Sequence, residues 1–195
     1  MTTESKSKQY QIGIIIILFL SSFIAPIIFL YPVQELLYQP NDSYFFDPFF
    51  TAYIILMVVL IMLAVTLLVN FLVNPKTRKR KNIQLGIVGT SFVIAGALIF
   101  LCINNYQYID PKGLHMNHFF SLREEYTSWE EIVKVEQTIV EKNGVSVPDQ
   151  LIFTLQDGST IEQSLSGKLS SAKQYINQEL SNYGLKIENK YSETK

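Results

Sequence analysis

Three uncharged apolar runs, Ile12–Tyr31, Phe49–Val73 and Ile83–Ile103, are separated by two polar gaps of opposite character. A helix rises ~1.5 Å per residue, so about 20 residues cross the ~30 Å hydrocarbon core of a bilayer. Each run is long enough, and the pattern predicts three transmembrane helices over about 12–31, 49–73 and 83–103, within a membrane domain of residues 1–103. The first run follows Lys6 and Lys8 and could pass for a signal peptide. Its apolar stretch exceeds the usual ~7–15 residues and no small-residue cleavage site follows, so it reads as an uncleaved span. Pro26 is expected to bend it, and Tyr31-Pro32 to close it.

The gaps set the expected orientation. Val33–Pro48 carries Glu35, Asp42 and Asp47, no Lys or Arg, and the aromatics Tyr38, Tyr44, Phe45 and Phe46. Aromatics gather at the headgroup level, so this loop is expected to lie along the interface, with a groove for an apolar ligand as the alternative. The second gap, Asn74–Asn82, holds Lys76, Arg78, Lys79, Arg80 and Lys81. Between two spans, such a cluster is a topogenic loop kept in the cytoplasm rather than a nuclear signal or nucleic-acid patch. The same charges attract anionic headgroups of the bilayer. Counting crossings from it puts the N-terminus inside, Val33–Pro48 outside, and everything after the third span outside the cytoplasm.

Small residues in the third run, Gly86, Gly89, Thr90, Gly96 and Ala97, recur at helical steps. They predict close packing against the first two helices, with homodimerisation through the same face as the alternative. No Asp, Glu, Lys, Arg or His lies within a span, which counts against a proton- or ion-coupled transporter.

After Asn104 the period changes from helical to twofold. Tyr106–Ile109, a turn at Asp110-Pro111-Lys112-Gly113, and Leu114–Phe120 read as a hairpin. Ser128 stands three residues before Glu131 and predicts a capping box opening a short helical turn. Ile132–Val140 alternates, Asn143-Gly144 suits a tight turn, and Gln150–Leu155 is a further apolar strand. Asp157-Gly158 predicts a two-residue hairpin leading into Ser159–Leu165. Leu169, Ala172, Ile176, Leu180 and Tyr183 then form one apolar helical face, stopped by Gly184. Residues 104–187 thus make a small α+β domain and 188–195 a flexible tail. Its expected core includes Trp129, Ile132, Ile176 and Leu180, with Trp129 as a partner-binding hot spot the alternative to a structural role.

Charge and chemistry narrow the picture. Hydrophobic residues are 48% of the chain, concentrated before residue 104. Residues 1–103 hold seven Lys or Arg against four Asp or Glu, and the remainder nine against thirteen. The acidic second part argues against nucleic acid as a partner. The one cysteine, Cys102, can form no internal disulfide or thiolate metal cluster, and reads as a small apolar residue. His115 and His118 are three apart, hence on opposite faces of a strand, and read as surface or interface histidines rather than ligands of one ion. Glu124-Glu125 and Glu130-Glu131 look like a solvated edge. No nucleophile elbow, zinc helix or phosphate loop is present, so neither enzyme nor cofactor is expected.

The stretch from Tyr106 to Ile132, with its Tyr-Ile-Asp, the Lys-Gly turn, the apolar hairpin strand and Trp129-Glu130-Glu131-Ile132, resembles bacterial pleckstrin-homology-like domains. Many of these follow transmembrane helices in small uncharacterised membrane proteins. The final helix at Lys168–Tyr183 is similar to the one that closes that fold's barrel. The resemblance implies an antiparallel partial barrel closed by a C-terminal helix. It brings no catalytic residues, and the turn offers only Lys112 where eukaryotic relatives bind phosphoinositides. The expectation is therefore a non-enzymatic, multi-pass protein of the cell membrane, in contact with the lipid bilayer, that displays a binding module for a protein or peptide partner. An accessory or immunity-type protein, whose membrane part meets a toxin or transporter, is the alternative.

Overall fold

The structure, a computed structural model, describes residues 3–73, 75–121, 123–142 and 144–191. Three long helices, α1 (Thr3–Tyr38), α2 (Phe50–Leu72) and α3 (Arg78–Ile103), each contain a segment long and apolar enough to cross a membrane. They are followed by a domain containing β-sheet. The chain divides into two compact units, and the division does not follow the sequence. The helical unit is Met1–Tyr38, Pro48–Tyr106 and His118–Leu122; the sheet unit is Gln39–Asp47, Gln107–Asn117 and Arg123–Lys195.

In the helical unit α2 lies between its neighbours, packing against both α1 and α3. Val59 and Leu63 of α2 meet Ala95 of α3, and Leu30, Ala52 and Cys102 form a second buried cluster. Most other apolar side chains of α1 and α3 face outward, as lipid-facing helices require. The small residues of α3 depart from expectation: Gly86, Gly89, Thr90, Gly96 and Ala97 are all exposed. The face turned toward α2 is instead Val88, Ser91, Ala95, Leu98 and Cys102, with Leu98 packed against the buried cluster around Ala95.

Helix α1 also runs beyond its expected end. Pro32 lies inside it, with six further residues to Tyr38. A proline removes one donor, but the cost is offset where neighbours hold the segment. Here Gln34, fully buried, donates from Nε2 to the carbonyls of Cys102 (2.8 Å) and Asn105 (3.1 Å). Both carbonyls, at and just beyond the C-terminal end of α3, also accept a backbone N–H, from Asn105 and Phe49 respectively. Tyr38 adds a hydrogen bond to Asn104 Oδ1 at 3.0 Å and stacks on Tyr106 at 4.5 Å.

The sheet unit holds two four-stranded sheets. One has the order β1 (Phe45–Pro48), β2 (Tyr106–Ile109), β3 (Gly113–Asn117), β4 (Glu125–Ser128). The other is ordered β7 (Thr160–Ser164), β6 (Val145–Leu155), β5 (Ile132–Lys142), β8 (Ile187–Tyr191). Among the described residues the sheets do not close into a barrel. Helix α4 (Gly167–Asn182) starts at Ser166, whose side chain accepts from Leu169 N. It stops where Gly184, at φ +72°, lets Leu185 N reach back to Leu180 O at 2.9 Å.

Several local expectations are corrected. Of the first-gap aromatics expected along the interface, Phe45 and Phe46 are buried within the protein, and Phe45 joins the core of the sheet unit. Residues 188–191, expected in a flexible tail, belong with Ile187 to a parallel strand on β5, because Ile187 has core to cover; residues 192–195 lie outside the described residues. Leu155 N bonds to Ser159 O, so the loop between β6 and β7 has three residues, Gln156 to Gly158, rather than two. Asp157 favours this form by accepting both Ser159 N (2.8 Å) and Ser159 Oγ (2.6 Å), while Gly158 takes φ +83°. Ser128 makes no side-chain cap, and Trp129–Glu131 is a single 3-10 turn. Asn143 lies outside the described residues, although Lys142 and Val145 pair on either side of its turn.

Candidate functional site

Trp129, Ile132, Ile176 and Leu180 lie together in one buried cluster with Phe45, Leu114, Val135, Leu151 and Phe153. The Trp129 side chain is fully enclosed, and its indole N–H donates to Asp110 O at 3.2 Å. A buried indole needs such an acceptor. Enclosed this way, Trp129 holds the β2–β3 turn onto the core and presents no surface to a partner.

The same turn organises a cluster that spacing alone missed. Asp110 Oδ1 accepts Lys112 N at 2.8 Å and Gly113 N at 3.0 Å. His115, expected at the surface, is only 8% exposed. Its ring stacks on Tyr108 at 4.2 Å and tilts against Tyr126 at 4.7 Å. Nδ1 lies 2.7 Å from Glu124 Oε1, and Nε2 lies 3.3 Å from Asp110 Oδ1. The second approach is electrostatic rather than an aligned hydrogen bond, since Nε2 has no hydrogen-bond partner and Oδ1 is already taken by two amides. Both ring nitrogens face carboxylates, so His115 clamps β3 to its neighbours and is poorly placed to take a proton from a substrate. His118 belongs to the helical unit, where it sits 5.2 Å from Phe49. Among the described residues, no group of three or more His, Cys, Asp or Glu side chains is arranged to hold a metal ion.

The sheet edges differ in how well they are guarded. Beside β1, Tyr44 bonds Glu179 Oε1 at 2.7 Å and stacks on Tyr175, and Asp47 pairs with Lys168 at 3.1 Å. These three α4 residues are spaced for one helix face, which covers that edge. Burial and then the Glu179 bond push the Tyr44 phenol up to about 12. Beside β8, Lys134, Glu188 and Lys190, all exposed, form an ion-pair ladder with the half-buried Glu136. The hydrogen bond between Lys134 and Glu136 raises the amine and lowers the carboxyl from their ordinary values. Charged edges of this kind resist strand addition. The four residues of β4 turn at once into the 3-10 element.

Among the described residues, no strand pairs with the outer edge of β7. Leu155 with Ser159, and Asp149 with Leu165, are hydrogen-bonded at the two ends of its ladder with β6. Alternation along the register then makes Phe153–Ile161 and Leu151–Gln163 the other bonded pairs. The amides and carbonyls of Thr160, Glu162 and Ser164 therefore point away from β6, the Ser164 carbonyl accepting Ser166 N at 2.9 Å. All three residues are exposed, and only one is charged.

The basic residues occupy a different environment from the loop expected for them. Arg78, Lys79, Arg80 and Lys81 form the first turn of α3, which Thr77 caps by accepting from Arg80 N. Only Lys76 precedes the helix. Compared with family models, with curated proteins and with solved structures, the chain matches none.

Proposed function

We propose that the protein is a non-enzymatic, multi-pass protein of the cell membrane whose pleckstrin-homology-like module, outside the cytoplasm, takes up an extended segment of a partner protein along β7. The open outer edge of β7 is the observation that supports this reading most. Thr160 and Glu162 offer main-chain donors and acceptors at alternate positions, and Ser164 offers its N–H while its carbonyl accepts Ser166 N, an arrangement that strand addition can use. Two sheets and one helix with its apolar face in the core are consistent with the pleckstrin-homology-like resemblance, although the sheets remain open.

The proposed orientation rests on the distribution of charge. Tyr44 N, from the first gap, bonds to Ile109 O, beyond the third helix, at 2.8 Å. This pairing supports a reading in which the two segments share one side of the bilayer, with α2 and α3 crossing it out and back. The five basic residues then fall on the other side, which the positive-inside rule makes cytoplasmic.

A photo-crosslinking residue at Ser164 of the full-length protein, expressed in cells, tests the β7 reading. One discrete crosslinked partner is expected. Glu162→Pro should abolish that product, because it removes an outward N–H without breaking a bond to β6. An unchanged crosslink pattern in Glu162→Pro would count against strand addition.

A further inference from the structure

The cleft between α2 and α3 beside the basic turn has a volume of about 470 Å³. That lies within the ~300–1,000 Å³ typical of small-ligand sites. Its walls are aliphatic, with Val65, Val69, Ile87 and Val88 among them, and Arg80 lies at the basic end. From Arg80 to Val88 the cleft follows eight residues of α3, or about 12 Å into the apolar segment.

The polar groups in the cleft divide sharply. Gln84 spends Nε2 on the last carbonyls of α2, Asn70 O at 2.9 Å and Val73 O at 3.0 Å. Thr66 donates to Met62 O at 2.8 Å, within its own helix. Arg80 has no such internal use, and none of the five basic residues makes an ion pair among the described residues. A guanidinium presents up to five N–H donors in a planar fork that matches a phosphate. The occupant that satisfies this site carries an anionic phosphate at one end and a flexible hydrocarbon body at the other.

We propose that the α2–α3 cleft is a binding site for one acidic phospholipid, with its phosphate on Arg80 and an acyl chain between Val69 and Ile87. The charge complementarity at the mouth selects this occupant. A second large cleft of the helical unit, between α1 and α2, is lined by Phe23, Pro26, Ile27, Phe50, Tyr53, Ile54 and Met57 and has no charged side chain to select a headgroup. The inference rests on α2 and α3 crossing a bilayer. It is independent of the strand-addition reading and of which side is cytoplasmic.

Native mass spectrometry of the full-length protein in neutral detergent provides the test, with phosphatidylglycerol and phosphatidylcholine of the same acyl chains added at equal concentration. One phosphatidylglycerol per chain should be retained in preference to phosphatidylcholine. Arg80→Gln should lower its retention about fivefold, the worth of one basic residue near an anionic surface. Lys79→Gln removes the same charge outside the cleft and should leave retention unchanged. Val69→Trp should expel the lipid by filling the cleft with all charges intact. Unchanged helical circular dichroism in each variant establishes that the three helices survive. Equal losses in Arg80→Gln and Lys79→Gln would reduce the site to diffuse attraction and overturn the proposal. So would lipid retained by Val69→Trp, or equal retention of the two lipids by the parent.

Discussion

Trp129→Ala in the full-length protein should leave the three helices inserted and unfold or loosen the sheet unit. Removing a buried aromatic costs about 3–5 kcal/mol, against about 5–15 kcal/mol for the whole stability of an ordinary domain. The indole also carries the hydrogen bond to Asp110 O, so its loss frees the turn that positions Gly113 and the His115 clamp. Phe45→Ala should act in the same direction, although residue 45 precedes the rest of that core by some sixty positions. Both changes should lower hydrogen-exchange protection in β5, β6 and α4 by roughly two decades or more, since each ~1.4 kcal/mol is tenfold. Protection unaffected by Phe45→Ala would mean that β1 is not part of this core.

Gly113→Ala should be nearly as damaging, for a different reason. A Cβ at this position would sit 2.1 Å from the Thr127 carbonyl oxygen, and backbone cannot swing aside as a flexible side chain can. Gly113 pairs with Ser128, and Leu114 with Thr127, so relief requires β3 and β4 to separate at the end where Trp129 is held. Overpacking of this kind costs about 1–3 kcal/mol, and more where backbone must move. The chain has a single tryptophan, which makes the readout simple. Trp129 emission, blue-shifted by burial in the parent, should move to the red and broaden in the variant. Unchanged emission would show that the turn accommodates a methyl group.

What the sequence disclosed follows from how each element is specified. Helix α4 was legible because Leu169, Ala172, Ile176 and Leu180 all answer to one local period. The three apolar helices were legible because a membrane selects on composition over some twenty consecutive residues. Strand β5 was legible in its alternation, with Val135, Gln137 and Ile139 inward. Its bulge, which also turns Ile132 inward, was not.

Strand β1 has only four residues, ends in proline, and gains its meaning from a partner strand far along the chain. No window of residues 33–48 could reveal that pairing, so the aromatics there were assigned to lipid. Gln34 is similar: its value lies in two carbonyls at the far end of α3. In the His115 cluster, Glu124 is delivered by chain reversal between β3 and β4, and three-residue spacing on one strand says nothing of it. The outward residues of β7 could not be separated from the inward ones until the three-residue loop fixed the register.

The orientation of the sheet unit is the claim on which the proposed partner depends, and cysteine accessibility measures it most directly. In a Cys102→Ser background, single cysteines are placed at Ser170, exposed on α4, and at Thr77, exposed before α3. A membrane-impermeant thiol reagent on intact cells should label the cysteine at 170 and spare the one at 77, which should react only after the membrane is permeabilised. Labelling at 77 with none at 170 on intact cells would invert the topology, and would place the β7 edge and its partner in the cytoplasm.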